Sequence, residues 1–191
     1  TSVRALSISD HDRQSYVKTM QLLTDKPVLY VCNVDESSAV NGNVYVNQIR
    51  QVAEAEQADV LVLAVSTEAD INELDTYEER KLFLDDMGLT EPGAAKLIRA
   101  AYAMLNLHTY FTAGKKEVRA WTVIQGSTAP QAAGIIHTDF EKGFIRAEVI
   151  SYVDCDSYSS EAKVKEAGKM RVEGKDYVVK DGDVIHFRFN V

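Results

Sequence analysis

Two cysteines, three prolines and one tryptophan are all that this 191-residue chain has of those residue types, and each scarcity narrows what it can be. Cys32 and Cys155 lie far apart, with no Cys-x-x-Cys or Cys/His spacing. A disulfide framework and a structural zinc site are therefore not expected, and no metal-ligand set is identified. The two thiols read as small buried or half-buried side chains. No run of about 18 apolar residues occurs and no charged-then-apolar leader opens the chain. Neither a membrane span nor a secretory signal is expected, and the default location is the cytoplasm. No G-x-x-x-x-G-K-[ST] loop occurs, so the groups that would cradle phosphates and hold Mg²⁺ are missing. The four histidines are scattered, and spacing alone assembles no Ser, His and Asp nucleophile set. The chain opens on Thr1 rather than Met, which leads to the expectation that it is a piece of a longer protein.

What is present describes a globular chain. Apolar residues make up 46% of it, enough at this length for a real core in one or two domains. The net charge of −8 is unevenly spread: residues 1–108 hold 9 Lys/Arg against 17 Asp/Glu, and residues 109–191 hold 12 of each. That asymmetry supports a boundary near Thr109 and makes the acidic first part a poor surface for nucleic-acid phosphates. In the second part, Lys163, Lys165, Lys169, Arg171 and Lys175 form a basic-leaning run able to meet RNA phosphate. Glu161, Glu166 and Glu173 interleave with them, so a solvated surface loop is the favoured reading.

Periodicity orders the chain. A helix is expected from Asp10 to Leu23 with Ser9 or Asp10 as its cap, stopped at Asp25-Lys26-Pro27. Val28–Cys32 and Asp59–Val65 are continuous apolar runs of the kind that form parallel strands buried on both faces. The helix from Gly42 to Gln57 between them completes a βαβ unit. One acidic helix over Ile71–Met87 ends at Gly88, and another spans Pro92–Leu107. The period then changes to 2: a hairpin of Tyr110–Gly114 and Glu117–Ile124, a short helix over Ala129–His137, and strands over Phe144–Ser151, Tyr177–Val179 and Val184–Phe189. Short strands with one helix in about 80 residues indicate a small α+β domain. His137 and Asp139 read as turn and helix-end caps rather than an acid/base pair. Trp121, within a strand, reads as core rather than as a platform for bases.

The most informative stretch is Lys26-Pro27-Val28-Leu29-Tyr30-Val31-Cys32-Asn33-Val34-Asp35-Glu36. Asn33 and Ser66 both fall just past the carboxyl ends of the expected parallel strands, where such sheets place ligands. On residue type alone, Asn33-Val34-Asp35-Glu36 is more often a polar loop or helix cap.

These residues, followed by Ser66, Tyr110-Phe111-Thr112, Trp121–Gly126 and Ile136–Phe144, closely resemble the Obg-like ATPase (YchF) family over nearly the whole chain. The closing segment, with His137-Thr138-Asp139 and the Lys180-Asp181-Gly182-Asp183 turn, resembles a TGS domain, a β-grasp module. The resemblance implies an α/β P-loop GTPase-like domain remnant joined to that small α+β module. Residues 1–24 would be the end of a helical coiled-coil insertion, 25–108 the C-terminal half of the nucleotide-binding domain, and 109–191 the TGS domain. It implies a ribosome-associated protein that hydrolyses ATP in preference to GTP, with catalytic residues lying outside this chain. ATP with Mg²⁺ would bind only the complete protein. In GTPases an Asn-Lys-x-Asp tetrad reads guanine through the Asp carboxylate. Here Val34 replaces the lysine and Glu36 sets the carboxylate one methylene further out. Asn33, Val34, Glu36 and Ser66 are the base-binding residues so implied. Lys165, Lys169 and Arg171 are the candidate contacts to RNA or another partner. The alternative is a TGS module that docks on RNA or the ribosome with no catalytic role.

Overall fold

A computed structural model describes residues 2–114, 117–158 and 160–190. The chain divides into two compact units, Thr1–Met104 and Leu105–Val191. Among the described residues no helix is long and apolar enough to cross a membrane.

The first unit is built on two parallel strands, β1 (Leu29–Asn33) and β2 (Asp59–Leu63), paired in register from Leu29 with Asp59 to Asn33 with Leu63. Before β1, Ser9 accepts from the Asp12 N–H and caps α1 (Asp10–Asp12). The single helix expected from Asp10 to Leu23 does not form. Arg13–Val17 winds more widely, Lys18–Met20 more tightly, and Gln21 turns left-handed at φ 49°. Tyr16, Met20 and Leu23 are exposed, so among the described residues the apolar stripe is left unpacked, and packing is what steadies most helices. Arg4 and the Tyr30 hydroxyl both reach the Glu56 carboxylate, at 2.9 and 3.1 Å, and tie this opening segment to the sheet.

Between the strands, α2 (Val44–Glu56) starts at Asn43, whose side chain accepts from the Tyr45 and Val46 N–H groups, and stops at left-handed Gln57. Val46 and Ala53 are buried, whereas Val52 stays exposed. The strands are not buried on both faces as their apolar runs suggest. Val31 is 46% exposed, because each strand has a single strand neighbour among the described residues.

The acidic helix expected over Ile71–Met87 is two helices, α3 (Val65–Glu73) and α4 (Tyr77–Asp86). Val65, expected to end a strand, instead begins α3. Thr76 restarts the helix by a reciprocal capping box with Glu79, satisfying N–H groups at both positions. Gly88 follows at φ 67°, the left-handed close to which glycine is suited. Ala39, Ala64, Ile71, Leu84 and Leu89 form the buried cluster of this unit. Then α5 (Gly93–Met104) packs against β1 and β2, with Ile98 left exposed.

The second unit is a mixed five-stranded sheet in the order β4-β3-β7-β5-β6 among the described residues. Its members are β3 (Leu107–Ala113), β4 (Val118–Ile124), β5 (Phe144–Ser151), β6 (Arg171–Glu173) and β7 (Asp183–Phe189). The β3–β4 and β5–β7 pairs are antiparallel, and β3 meets β7 in parallel. Helices α6 (Ala129–Ile136) and α7 (Thr138–Lys142) are split by extended His137, whose Nδ1 accepts from the Asp139 N–H at 3.2 Å. That is the capping role read from the sequence. Tyr110, Val123, Ala132, Val149 and Ile185 are fully buried beneath them, with Trp121 packed at the edge, and the Tyr110 hydroxyl donates to the Ala132 carbonyl at 2.8 Å.

Two expectations fail here. Tyr177–Val179 is no strand; one bridge joins Val178 to Thr128. The single-helix α+β domain also holds α8 (Tyr152–Tyr158) and α9 (Glu161–Glu166), so the basic run is helix, turn and strand rather than a loop. Strand β6 is anchored by Asp183, 2% exposed. Its carboxylate accepts from the Tyr177 hydroxyl at 2.7 Å and the Lys180 N–H at 2.9 Å, with the Arg171 guanidinium 3.7 Å away.

Burial, with help from Asp183, pushes the Tyr177 phenol from 10.0 up to about 12. A raised phenol stabilises the fold fully below its unfolded value of 10.0, and the contribution is lost as pH rises through about 12. We expect the Tyr177 ring signals in an NMR titration to move with a midpoint near 12 and Asp183→Asn to lower that midpoint. A wild-type midpoint at the ordinary value would contradict this burial.

Candidate functional site

The carboxyl ends of β1 and β2 carry the residues singled out for base reading. The β1–β2 ladder continues one step past the strand, since the Val34 N–H donates to the Leu63 carbonyl at 2.8 Å. Asn33 is exposed, and its Oδ1 accepts from the Val65 N–H at 3.1 Å. Val65 is the first residue of α3, and Ala64 before it has no side chain able to cap. Asn33 therefore caps α3 from another element, which fixes its carboxamide oxygen inward and leaves its NH₂ available as a donor.

The rest of the tetrad divides its duties. Asp35 is turned back on its own loop, where its carboxylate accepts from the Ser37 hydroxyl at 2.6 Å and the Ser38 N–H at 3.0 Å. Those bonds hold its carboxyl below the usual range. Glu36 opens the short turn Glu36–Ser38 and is exposed, while Val34 is half-buried. Ser66 is the second residue of α3, exposed, beside the Val65 that meets Asn33. The structure thus brings the end of β1 at Asn33 to the first turn of α3, where Ser66 follows Val65. Among the described residues no hydrogen bond or ion pair of the Glu36 side chain reaches either.

Two residues here carried no signal in the sequence. Val65 matters through its backbone. Glu68, one turn further along α3, reaches the first N–H groups of α5, accepting from Gly93 at 2.6 Å and Ala94 at 3.1 Å. Among the described residues no three His, Cys, Asp or Glu side chains gather into a metal site.

The candidate RNA contacts in the second unit, Lys165, Lys169 and Arg171, are all exposed, and two of them have acidic neighbours. Lys165 is exposed in the last turn of α9, and Lys169 lies 3.9 Å from Asp154. Arg171 is engaged inside the unit by Tyr177, Asp183 and Glu173. Trp121 is core at one edge, but it also lines a groove of about 400 Å³ with Ile136, Phe140, Phe187 and Phe189. Its indole N–H donates to Thr112, and the Arg119 guanidinium lies 4.2 Å over its ring.

Residues 107–190 match the family model YchF-GTPase_C, described as a protein of unknown function. The chain is similar over 99% of its length to the ribosome-binding ATPase YchF of Haemophilus ducreyi at 55% identity and of Escherichia coli O157:H7 at 54%. The Bacillus subtilis protein of the same name is 53% identical over 94% of the chain. The chain spans 51%, 51% and 50% of these relatives' lengths. Among solved structures, the Schizosaccharomyces pombe YchF GTPase matches 98% of the chain and 50% of its own at 34% identity, TM-score 0.83. A GTP-binding protein from Pyrococcus horikoshii OT3 shares the fold alone, with TM-score 0.60 and 16% identity over 96% of this chain and 58% of its own. With motifs and fold in agreement over nearly its whole length, the chain belongs to the YchF family and corresponds to its C-terminal part.

Proposed function

We propose that this chain is the base-reading and docking part of a longer, ribosome-associated protein that binds and hydrolyses ATP in preference to GTP. The observation that carries the reading is Asn33, held at the end of β1 with its NH₂ available as a donor, in a chain 55% identical to a ribosome-binding ATPase. An amide donor suits a purine ring acceptor. Asp35 is turned onto its own loop, where its Oδ1 accepts from Ser37 and Ser38, and Val34 and Glu36 remove the lysine and the correctly spaced carboxylate of the guanine tetrad. Ser66 completes the base loop. Mg²⁺ and the phosphates belong to the complete protein, since this chain has no phosphate loop. The exposed Val31 on β1, which has a single strand neighbour among the described residues, supports a sheet that continues in a neighbouring segment.

A second reading is favoured by residues 105–191 alone, which form a compact unit with its own core. In it, that unit is a TGS module whose role is docking on the ribosome or RNA rather than catalysis.

Three measurements test these readings. Calorimetric titration of this chain with Mg²⁺-ATP is expected to show no submillimolar binding, because the charge-assisted phosphate contacts that dominate nucleotide affinity are absent. Submillimolar binding, or turnover above buffer, would sink the idea. In the longer protein, ATP should outcompete GTP, and Asn33→Ala should weaken ATP by about 1–3 kcal/mol, the cost of a desolvated hydrogen bond. Unchanged ATP affinity would reduce Asn33 to a structural cap. For docking, Lys165→Glu with Lys169→Glu should lower co-sedimentation with ribosomes and flatten its salt dependence, since each lost phosphate contact removes released counterions. Arg171 is left alone because reversing its charge beside buried Asp183 disturbs the fold itself. Sedimentation unchanged in amount and salt slope would remove this surface.

A further inference from the structure

We infer that Glu68 is a positioning residue for the base loop: by holding the start of α5 it sets where α3 begins, and so fixes the carboxamide of Asn33. The inference rests on the base-reading role proposed for Asn33. Its ground is a closed ring of contacts around the carboxyl ends of β1 and β2. The Asn33 Oδ1 accepts from Val65 at the start of α3. Glu68, one turn along that helix, accepts from the Gly93 and Ala94 N–H groups at 2.6 and 3.1 Å. Gly93 is buried against β2, where a Cβ would stand 2.5 Å from the Leu63 Cδ2 and 2.9 Å from the Glu68 carboxylate. Leu63 closes the ring through its carbonyl, which accepts from Val34 at 2.8 Å. Gly93 is therefore joined to the tetrad by two routes, one ending at Asn33 and the other at its neighbour Val34.

The physical requirement behind the ring is the set of unpaired N–H groups at each helix start. Ala64 supplies no cap to α3, so Asn33 does. The carboxylate of Glu68 answers the first N–H groups of α5, where negative charge also suits the helix dipole. An acid capping only its own helix would have no bearing on Asn33. Glu68 spans two helices, and the N-terminal turn of the helix it rides on is the turn that meets Asn33. Thr67 and Ile71, each 2% exposed, seat the same stretch of α3 in the core, so α3 has little freedom to settle elsewhere while Glu68 is engaged.

Amide hydrogen exchange on the ¹⁵N-labelled chain separates this role from a local cap. In Glu68→Gln, which keeps the size but loses the charge and one acceptor oxygen, the Gly93 and Ala94 amides should exchange faster. The Val65 amide should follow by about threefold to tenfold, the scale of one weakened hydrogen bond, and the Asn33 side-chain NH₂ signals should shift. Gly93→Ala, which perturbs the ring from its other side, should give the same Val65 response and keeps the test decisive if Glu68→Gln does not fold. Faster exchange at Gly93 and Ala94 with Val65 unchanged would overturn the inference and leave Glu68 as a cap of α5 alone. In the longer protein, Mg²⁺-ATP should then bind at least about threefold more weakly to Glu68→Gln than to wild type. An Asn33→Ala variant of the longer protein with unchanged ATP affinity, with Val65 responding as expected in this chain, would overturn the base reading while supporting the brace. Equal ATP affinity in wild type and Glu68→Gln, with Asn33→Ala weakened, would overturn the positioning role while supporting the base reading.

Discussion

An α-helix cannot begin without leaving N–H groups unpaired, and in the first unit that constraint organises everything around the ends of the two parallel strands. Where a helix has a good local cap, as α2 has in Asn43 and α4 in Thr76, its start is settled by neighbouring residues and its position is free to be set by packing. Where it has none, the cap comes from elsewhere in the fold. Asn33 closes α3 and Glu68 closes α5, so each of these helices is registered against a specific side chain. A polar group at the sheet's carboxyl edge thereby has a structural duty on one side of its amide and a free donor on the other. In the base-reading role proposed for Asn33, such a division would set one orientation before any ligand arrives and limit the ordering cost of binding.

The second unit meets a related demand differently. Its sheet buries an acid, Asp183, beneath the turn that leads into β7, and satisfies it with Tyr177, the Lys180 N–H and Arg171. A buried carboxylate without such partners would be costly. Arg171 contributes from β6, so the short edge strand is held by polar contacts as well as by its ladder with β5. The basic-leaning composition of this stretch is thus partly internal wiring, since Arg171 meets Asp183 from an otherwise exposed position, while Lys163, Lys165, Lys169 and Lys175 are exposed.

The sequence makes legible those parts whose cause is local. Strands β1 and β2, helix α2, the β3–β4 pairing, strand β5 and the His137 cap all follow from apolar period, turn residues or side-chain caps, and all are present. The break between α3 and α4 was signalled too, because Thr76 and Glu79 form a capping box, but the apolar residues on either side hide it inside one continuous helical pattern. Helix Asp10–Leu23 failed for the opposite reason: its pattern is sound, but among the described residues its apolar stripe meets no partner surface. Val178 looks like strand by residue type, yet the Asp183 cluster holds the surrounding turn in another shape. At the candidate site, the places of Asn33 and Ser66 just past two apolar runs are legible in the sequence, and the structure has them at the end of β1 and in the first turn of α3. Glu68 was invisible, because an acid in the middle of an acidic helix differs from its neighbours only by what lies 25 residues away.

The placement of the single tryptophan has an optical consequence. Trp121 sits at the edge of the second unit's core, with the Arg119 guanidinium against its ring, and the first unit contains no indole at all. Light absorbed selectively by tryptophan therefore reports on residues 105–191 alone, while the tyrosines and the backbone report on both units. The two halves of the chain can be watched separately as they unfold, without labels and without cutting the chain between them.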